Sequence, residues 1–212
     1  MKTILCYGDS NTWGHIPLSG ERFPVDIRWP GVLRTQLGND YWVIEEGMNG
    51  RTTVMDDPVV DGRNGKRYLM PCLESHKPLD LVVMMLGSND LKPKFSLTAF
   101  DIARGLSTLV DITQKSGTGV DCAAPQLLII SPPHVVPIND DPDLKEEFEG
   151  AANKSQQLAK YYTKVAQNTG CHFLDAAEIV TPSPRDGVHL EASEHEKLGK
   201  AVAAQVNEIF SY

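Results

Sequence analysis

The chain has 212 residues, 41% of them hydrophobic and 23% charged, a composition that predicts one globular domain over residues 1–212 with a substantial buried core. A formal net charge of −8 argues against a nucleic-acid partner, because phosphate binding needs a concentrated basic surface. Four scattered cysteines and an apolar stretch before Gly8 that is too short for a signal peptide favour a cytoplasmic protein with no membrane partner.

Apolar runs alternate with helical stretches along the chain, which is typical of a parallel sheet covered on both faces. Strands are predicted at residues 3–7, 42–45, 79–86, 127–131 and 171–174. Helices are predicted at residues 29–37, 66–75, 97–115, 145–168 and 192–210. These elements predict a three-layer α/β/α sandwich of the flavodoxin type with a five-stranded parallel sheet. In such a fold, ligands bind at the carboxyl ends of the strands.

Two loops, residues 55–65 and 132–144, are longer than a simple crossover requires. Both follow a strand end or its adjoining turn, so both are expected on the edge of the sheet that binds ligands. They are candidate walls of a pocket or candidate contact surfaces between subunits.

Four short polar segments fall at strand ends or in the last loop of the predicted fold. They are Gly8-Asp9-Ser10-Asn11, residues 47–53, Gly87-Ser88-Asn89-Asp90 and Asp186-Gly187-Val188-His189. Because the carboxyl ends of parallel strands meet at one edge, we expect these segments to lie together.

Together the segments supply the groups that acyl transfer needs. Ser10 is predicted to attack an ester carbonyl, His189 to take the serine proton, and Asp186 to orient the imidazole and stabilise its cation. The main-chain N–H groups of Ser10 and Gly50 and the side-chain amide of Asn89 are predicted to hold the oxyanion. This chemistry requires neither a cofactor nor a metal ion.

Each segment also has an ordinary structural interpretation. Gly8-Asp9-Ser10 could be a capped turn, Gly50 a turn glycine with positive φ, and Asn89 a turn residue. His189 could be a surface histidine, as His195 is taken to be in its charged stretch. The occurrence of all four segments in order at one sheet edge favours the catalytic interpretation.

The four segments resemble the sequence blocks of the SGNH hydrolases, also called the GDSL esterase/lipase family. The resemblance covers nearly the whole chain, and further motifs are similar to those of the bacterial arylesterase and acyltransferase subgroup: Thr12-Trp13-Gly14, Arg28-Trp29, Glu45-Glu46-Gly47, Gly50-Arg51-Thr52-Thr53 and Asp56-Asp57-Pro58. It implies hydrolysis of short-chain and aryl esters, acyl transfer to alcohols, and assembly into homo-oligomers, octamers among them.

By position, the resemblance implies that Ser10 is the nucleophile, that Asp186 and His189 are its partners, and that Gly50 and Asn89 are oxyanion donors. The chain departs from the family pattern at two positions. Asn11 replaces the leucine of the GDSL motif, and His15 makes the expected entrance more polar.

An apolar acyl site is predicted beside Ser10, and it is small because no long apolar lid helix is evident. The residues predicted to bind substrate are Asn11, Trp13, Met48, Asn49, Val54 and Leu190, with Met55 nearby. We expect a small-molecule ester as substrate, with aryl acetates or butyrates hydrolysed faster than long-chain esters. Carbohydrate acetyl esters and acyl thioesters are alternatives for the same triad.

Two interpretations from other functional classes stay open at this point. A metal phosphoesterase would use carboxylate, amide and imidazole ligands, here Asp9, Asn89, Asp90 and His189. A non-catalytic α/β binding module would use the serine only as a turn residue.

Overall fold

The computed structural model describes residues 1–211 and has one sheet of five parallel strands. The strands are β1 (Lys2–Gly8), β2 (Tyr41–Gly47), β3 (Leu81–Met85), β4 (Gln126–Ser131) and β5 (His172–Asp175), and their order in the sheet is β2-β1-β3-β4-β5. The predicted five-stranded parallel sheet is confirmed.

Helices cover both faces of the sheet. They are α1 (Ser10–Trp13), α2 (Trp29–Leu37), α3 (Gly65–His76), α4 (Ala99–Gln114), α5 (Pro142–Glu147), α6 (Ala151–Ser155), α7 (Leu158–Thr169) and α8 (Ala192–Phe210). The core under α3, α4 and α7 is separate from the core under α2 and α8, which gives three layers. None of the helices within residues 1–211 is long and apolar enough to cross a membrane.

The central strands β1, β3 and β4 are buried on both sides, because successive side chains point to opposite faces of the sheet and helices cover both faces. In β1, Leu5 and Tyr7 enter the core under α3, α4 and α7, whereas Ile4 and Cys6 enter the core under α2 and α8. This double burial explains why the strands read as continuous apolar runs.

The helix predicted at residues 145–168 is wrong as one element, because the chain forms α5, α6 and α7 there. Gly150 takes a φ of 72°, a left-handed conformation that glycine adopts without steric cost and that interrupts the helical path. At the end of α6, the Ser155 hydroxyl accepts a hydrogen bond from the Val135 N–H (3.0 Å). Three separate helices therefore replace the single helix that the sequence predicts.

The sheet order creates a crevice beside the end of β1. The chain leaves β1 for β2 on one side, while β3 pairs with β1 on the other, and ligands bind at such a switch point. The end of β1 packs closely on α1, since a Cβ on Gly8 would lie 2.0 Å from the Thr12 hydroxyl oxygen. A Cβ on Gly47 would lie 2.1 Å from the Trp13 nitrogen, so the end of β2 fixes the same helix.

Candidate active site

Ser10 opens α1 directly after β1, at the carboxyl edge of the sheet. The Asp9 side chain caps this helix by accepting a hydrogen bond from the Asn11 N–H (3.0 Å). The serine is nearly buried, with 6% of its surface exposed, and it lines a small cavity. Its position therefore depends on the cap and on the close contacts of α1 with β1 and β2.

The side chains of Ser10, His189 and Asp186 form one continuous hydrogen-bonded chain. The Nε2 atom of His189 lies 3.0 Å from the Ser10 Oγ, and its Nδ1 atom lies 2.8 Å from the Asp186 Oδ2. The other Asp186 oxygen accepts hydrogen bonds from the main-chain N–H groups of Val188 (3.1 Å) and His189 (2.9 Å). This is the connectivity that a serine, a general base and an orienting carboxylate require.

The pKa of Asp186 reflects two opposing effects. Burial raises this pKa, but hydrogen bonds from the side chain and main chain of His189 and from Val188 outweigh burial, so the pKa lies below its usual value. The carboxylate is therefore ionised at neutral pH and can stabilise a cationic imidazole.

The side chain of Asn11, a predicted substrate contact, is not part of the cavity lining and is bonded to the main chain instead. Its Nδ2 donates to the carbonyl of Val188 (3.1 Å), and its Oδ1 accepts from the N–H of Leu190 (3.0 Å). The buried amide thus binds the main chain on both sides of His189. The residue that departs from the GDSL motif ties the nucleophile helix to the histidine loop.

Two proposed oxyanion donors, Gly50 and Asn89, line the same cavity as Ser10. Gly50 has a φ of 74°, and its N–H donates to no acceptor within residues 1–211. The Nδ2 of Asn89 donates one hydrogen bond to the carbonyl of Arg51 (3.1 Å), which leaves its second N–H for another acceptor. The structure therefore brings the predicted donors together around one space.

The segments that carry these donors are locked to each other by Asp90 and Thr53. The Asp90 carboxylate accepts from the Thr53 N–H (3.0 and 3.1 Å) and from the Thr53 hydroxyl (2.5 Å). Complete burial raises the pKa of Asp90 to about 6, although the bonds from Thr53 oppose this shift. These hydrogen bonds hold the segment of Gly50 next to the segment of Asn89.

The cavity has a volume of about 150 Å³ and combines polar donors with an apolar wall. Its lining consists of Ser10, His15, Asn49, Gly50, Asn89, Lys92, Leu144, Phe148, Val188 and His189. Asn49, which was predicted to bind substrate, lies in this lining, and its Oδ1 is buried without a hydrogen-bond partner in the described part of the chain.

The other predicted substrate contacts are not among the residues that line this cavity. Trp13 packs under the Arg22 guanidinium, 5.1 Å from the ring centre, and Met48 lines a separate surface hollow with Tyr68. Val54 packs against the core under α4, and Leu190 is fully buried in the core under α8. All are close in sequence to catalytic segments, but sequence proximity does not fix the direction of a side chain.

Four residues that line the cavity are not predicted from the sequence: Lys92, Leu144, Phe148 and Val188. The long loop 132–144 was the available signal, and its last residue, Leu144, does form part of the wall. Phe148 lies directly after the last residue of α5 and is part of the cavity lining. Its ring lies 5.0 Å from the Lys92 ammonium, which also pairs with Glu147.

Two further histidines lie near His189. The His15 ring stacks on the His189 ring with their centres 4.1 Å apart, and burial and the neighbouring His189 lower the pKa of His15 to about 4. His195 is completely buried, so its interpretation as a surface residue is wrong. Its Nδ1 accepts a hydrogen bond from the N–H of Trp29 (3.3 Å), where α8 packs on α2.

The residues considered as phosphoesterase ligands do not converge on one point. Asp9 caps α1, Asp90 is bonded to Thr53, and His189 faces Ser10. Within residues 1–211, the only three His, Cys, Asp or Glu side chains whose ligand atoms all lie within 4.8 Å of one another are Glu46, Cys72 and His76, and none of these belongs to that set.

Several solved structures that are similar to this chain are of proteins named as esterases. The aryl esterase of M. smegmatis is 43% identical, with a TM-score of 0.95 over 99% of this chain and 100% of that chain. A carbohydrate acetylesterase from Sinorhizobium meliloti is 38% identical, with a TM-score of 0.96 over 99% and 100% of the two chains. A putative arylesterase from Agrobacterium tumefaciens is 42% identical, with a TM-score of 0.89 over the same shares.

A curated relative, the acetylxylan esterase of Xylanibacter ruminicola, is 26% identical over 225 aligned positions that include 96% of this chain. The chain spans only 42% of the length of that relative. The sequence model of the GDSL-like lipase/acylhydrolase family matches residues 6–197. The chain therefore belongs to the GDSL-like lipase/acylhydrolase family.

Proposed function

We propose that the protein is a serine esterase that hydrolyses short-chain acyl or aryl esters through an acyl-enzyme on Ser10. The observation that carries this proposal is the hydrogen-bonded chain from Asp186 through His189 to Ser10, which ends in the cavity that Gly50 and Asn89 also line.

In the first step, the Ser10 Oγ attacks the ester carbonyl carbon while its proton moves to the His189 Nε2. The N–H groups of Ser10 and Gly50 and the Nδ2 of Asn89 donate to the resulting oxyanion. When the intermediate collapses, the bond to the leaving oxygen breaks and this oxygen takes the proton from His189. Water then repeats the sequence on the acyl-enzyme and releases the acid, and an alcohol in place of water would give a new ester.

The size of the cavity supports a short acyl group. Its volume of about 150 Å³ equals the volume that roughly five water molecules occupy in the liquid. This is below the usual volume of pockets that bind drug-sized ligands. Leu144, Phe148 and Val188 provide apolar contacts for a few methylene groups. A longer chain would have to leave the cavity for solvent.

A second candidate, a carbohydrate acetylesterase, is favoured by polar groups on the same wall. The unpaired Oδ1 of Asn49 can accept a hydrogen bond from a hydroxyl group, and Lys92 can donate one. Relatives with this named activity add support.

Assembly into a homo-oligomer and a cytoplasmic location stay predictions. Val59 and Val60 in the loop 55–65 are 82% and 41% exposed and offer apolar surface for contact between subunits. Sedimentation analysis should therefore show a species larger than a monomer, and a monomer at micromolar concentration would contradict the prediction.

A panel of aryl esters with acyl chains of two to twelve carbons, run beside acetylated sugars, tests the proposed substrates. We expect kcat/KM to be highest for acetate or butyrate and to fall with longer chains, and Ser10→Ala to abolish turnover while the protein stays folded. A steady rise of kcat/KM with chain length would contradict the short-chain proposal. Turnover retained by Ser10→Ala would contradict the proposed nucleophile.

A further inference from the structure

A cluster of three potential metal ligands lies where β2 ends beside α3, apart from the residues that line the catalytic cavity. It consists of Glu46, Cys72 and His76, and one ligand atom from each residue lies within 4.8 Å of the ligand atoms of the other two. Cys72 and His76 are four residues apart in α3, so they lie on the same face of the helix. The Glu46 Oε1 lies 2.8 Å from the His76 Nε2.

We propose that Glu46, Cys72 and His76 bind one divalent metal ion of the zinc class. Thiolate, imidazole and carboxylate are all ligands of Zn²⁺, and three protein ligands leave a fourth position for water. This site is separate from the proposed ester hydrolysis and does not depend on it.

The surroundings give the ion a route of entry. Cys72 is fully buried, whereas the side chains of Glu46 and His76 are 20% and 29% exposed. Glu46 also lines the surface hollow of about 420 Å³ that contains Tyr68 and Arg51. Because His76 is the last residue of α3, the negative end of the helix dipole lies beside the cation.

Two features oppose metal binding: the positive charge of Arg51 and the proton on the Cys72 thiol. The Arg51 guanidinium is the neighbouring positive charge, but it donates to the carbonyls of Gly8 (2.8 Å) and Glu46. Burial and the Glu46 carboxylate raise the pKa of the Cys72 thiol to about 12, so the metal-free protein holds this thiol protonated. On binding, the sulfur–metal bond forms and the thiol proton passes to solvent.

The test is a titration of the metal-free, full-length protein with Co²⁺, followed by displacement with Zn²⁺. We expect a near-ultraviolet thiolate-to-cobalt absorption band that saturates at one ion per chain and that Zn²⁺ removes. Cys72→Ser should abolish this band. His76→Gln changes a partly exposed residue and removes a direct ligand of the ion. Loss of a residue that only hydrogen-bonds a ligand weakens metal binding roughly 10- to 100-fold, so His76→Gln should weaken Co²⁺ binding at least as much.

Cys171→Ser and His172→Gln are the matched controls, since they remove a thiol and an imidazole outside the cluster. Both should bind Co²⁺ like the unchanged protein, and circular dichroism checks that every variant is folded. The proposal is wrong if saturating Co²⁺ gives no such band, if His76→Gln binds as tightly as the unchanged protein, or if Cys171→Ser removes the band. The spectroscopic readout requires no esterase activity.

Discussion

Asn11 occupies the position that leucine holds in the GDSL motif, and it stabilises the site in a different way. A leucine at this position could only pack, whereas the asparagine amide satisfies the carbonyl of Val188 and the N–H of Leu190. Both main-chain groups belong to the loop that carries His189. The departure from the GDSL motif is therefore compensated by hydrogen bonds across the active site.

Replacing Asn11 with leucine should destabilise the protein and lower kcat. Each buried main-chain group left unpaired costs about 1–3 kcal/mol, and the freed loop should hold His189 less firmly. Urea unfolding and steady-state kinetics measure the two effects. Asn207→Leu, on the exposed face of α8, is the matched control. Unchanged stability and kcat in Asn11→Leu would contradict the bridging role.

Asn89 and Asn49 line the same cavity but should act differently. Asn89→Ala removes a proposed oxyanion donor, so we expect kcat to fall roughly 10²- to 10³-fold with little change in KM. Asn49→Ala removes only a substrate contact and should mainly raise KM. If the effect of Asn89→Ala were confined to KM, Asn89 would be a binding residue and not an oxyanion donor.

At the scale of elements, His195 joins α8 to α2 through its bond to the Trp29 N–H. Burial, the chief cause, together with the nearby His189 and Arg28, lowers the pKa of His195 from 6.5 to about 3. The unfolded chain therefore binds a proton near pH 6.5 that the folded protein does not. The contribution of neutral His195 to the free energy of unfolding is fully present above pH 6.5 and is lost as the pH falls toward 3.

As the pH falls below 6.5, protonation of His195 in the unfolded chain should lower the free energy of unfolding by about 1.4 kcal/mol per pH unit. His15, with its pKa of about 4, acts in the same direction. His195→Gln should show a smaller loss between pH 6.5 and 4 than the unchanged protein, as measured by urea unfolding at several pH values. His172→Gln serves as a control, and parallel pH profiles for His195→Gln and the unchanged protein would refute this account.

The sequence was informative about elements wherever one local pattern decides the structure. The apolar strands and the helices at residues 29–37 and 192–210 match the observed elements closely, because burial on both faces or on one stripe imposes a clear pattern. The helix at residues 145–168 failed because Gly150 takes a left-handed conformation that a periodic pattern does not reveal. Phe148, which lines the cavity, lies in the segment between α5 and α6.

At the scale of the whole molecule, the sheet order explains which site residues were predictable. Ser10, Gly50 and Asn89 follow strand ends, so parallel topology alone brings them to one edge. Met48, Val54 and Leu190 lie outside the cavity lining, because the direction of a side chain in a turn depends on tertiary contacts. The buried position of His195 likewise follows from how α8 packs on α2, which no local pattern encodes.

The central claim, that Ser10 is the nucleophile activated by His189, is tested most directly by labelling with a serine-reactive phosphonate. We predict one phosphonyl group per chain, located on Ser10 by peptide mass spectrometry, with loss of activity in proportion to labelling. His189→Ala should label far more slowly, and Ser10→Ala should not label at all. Labelling at another residue, or full esterase activity in a protein that resists the phosphonate, would contradict the account.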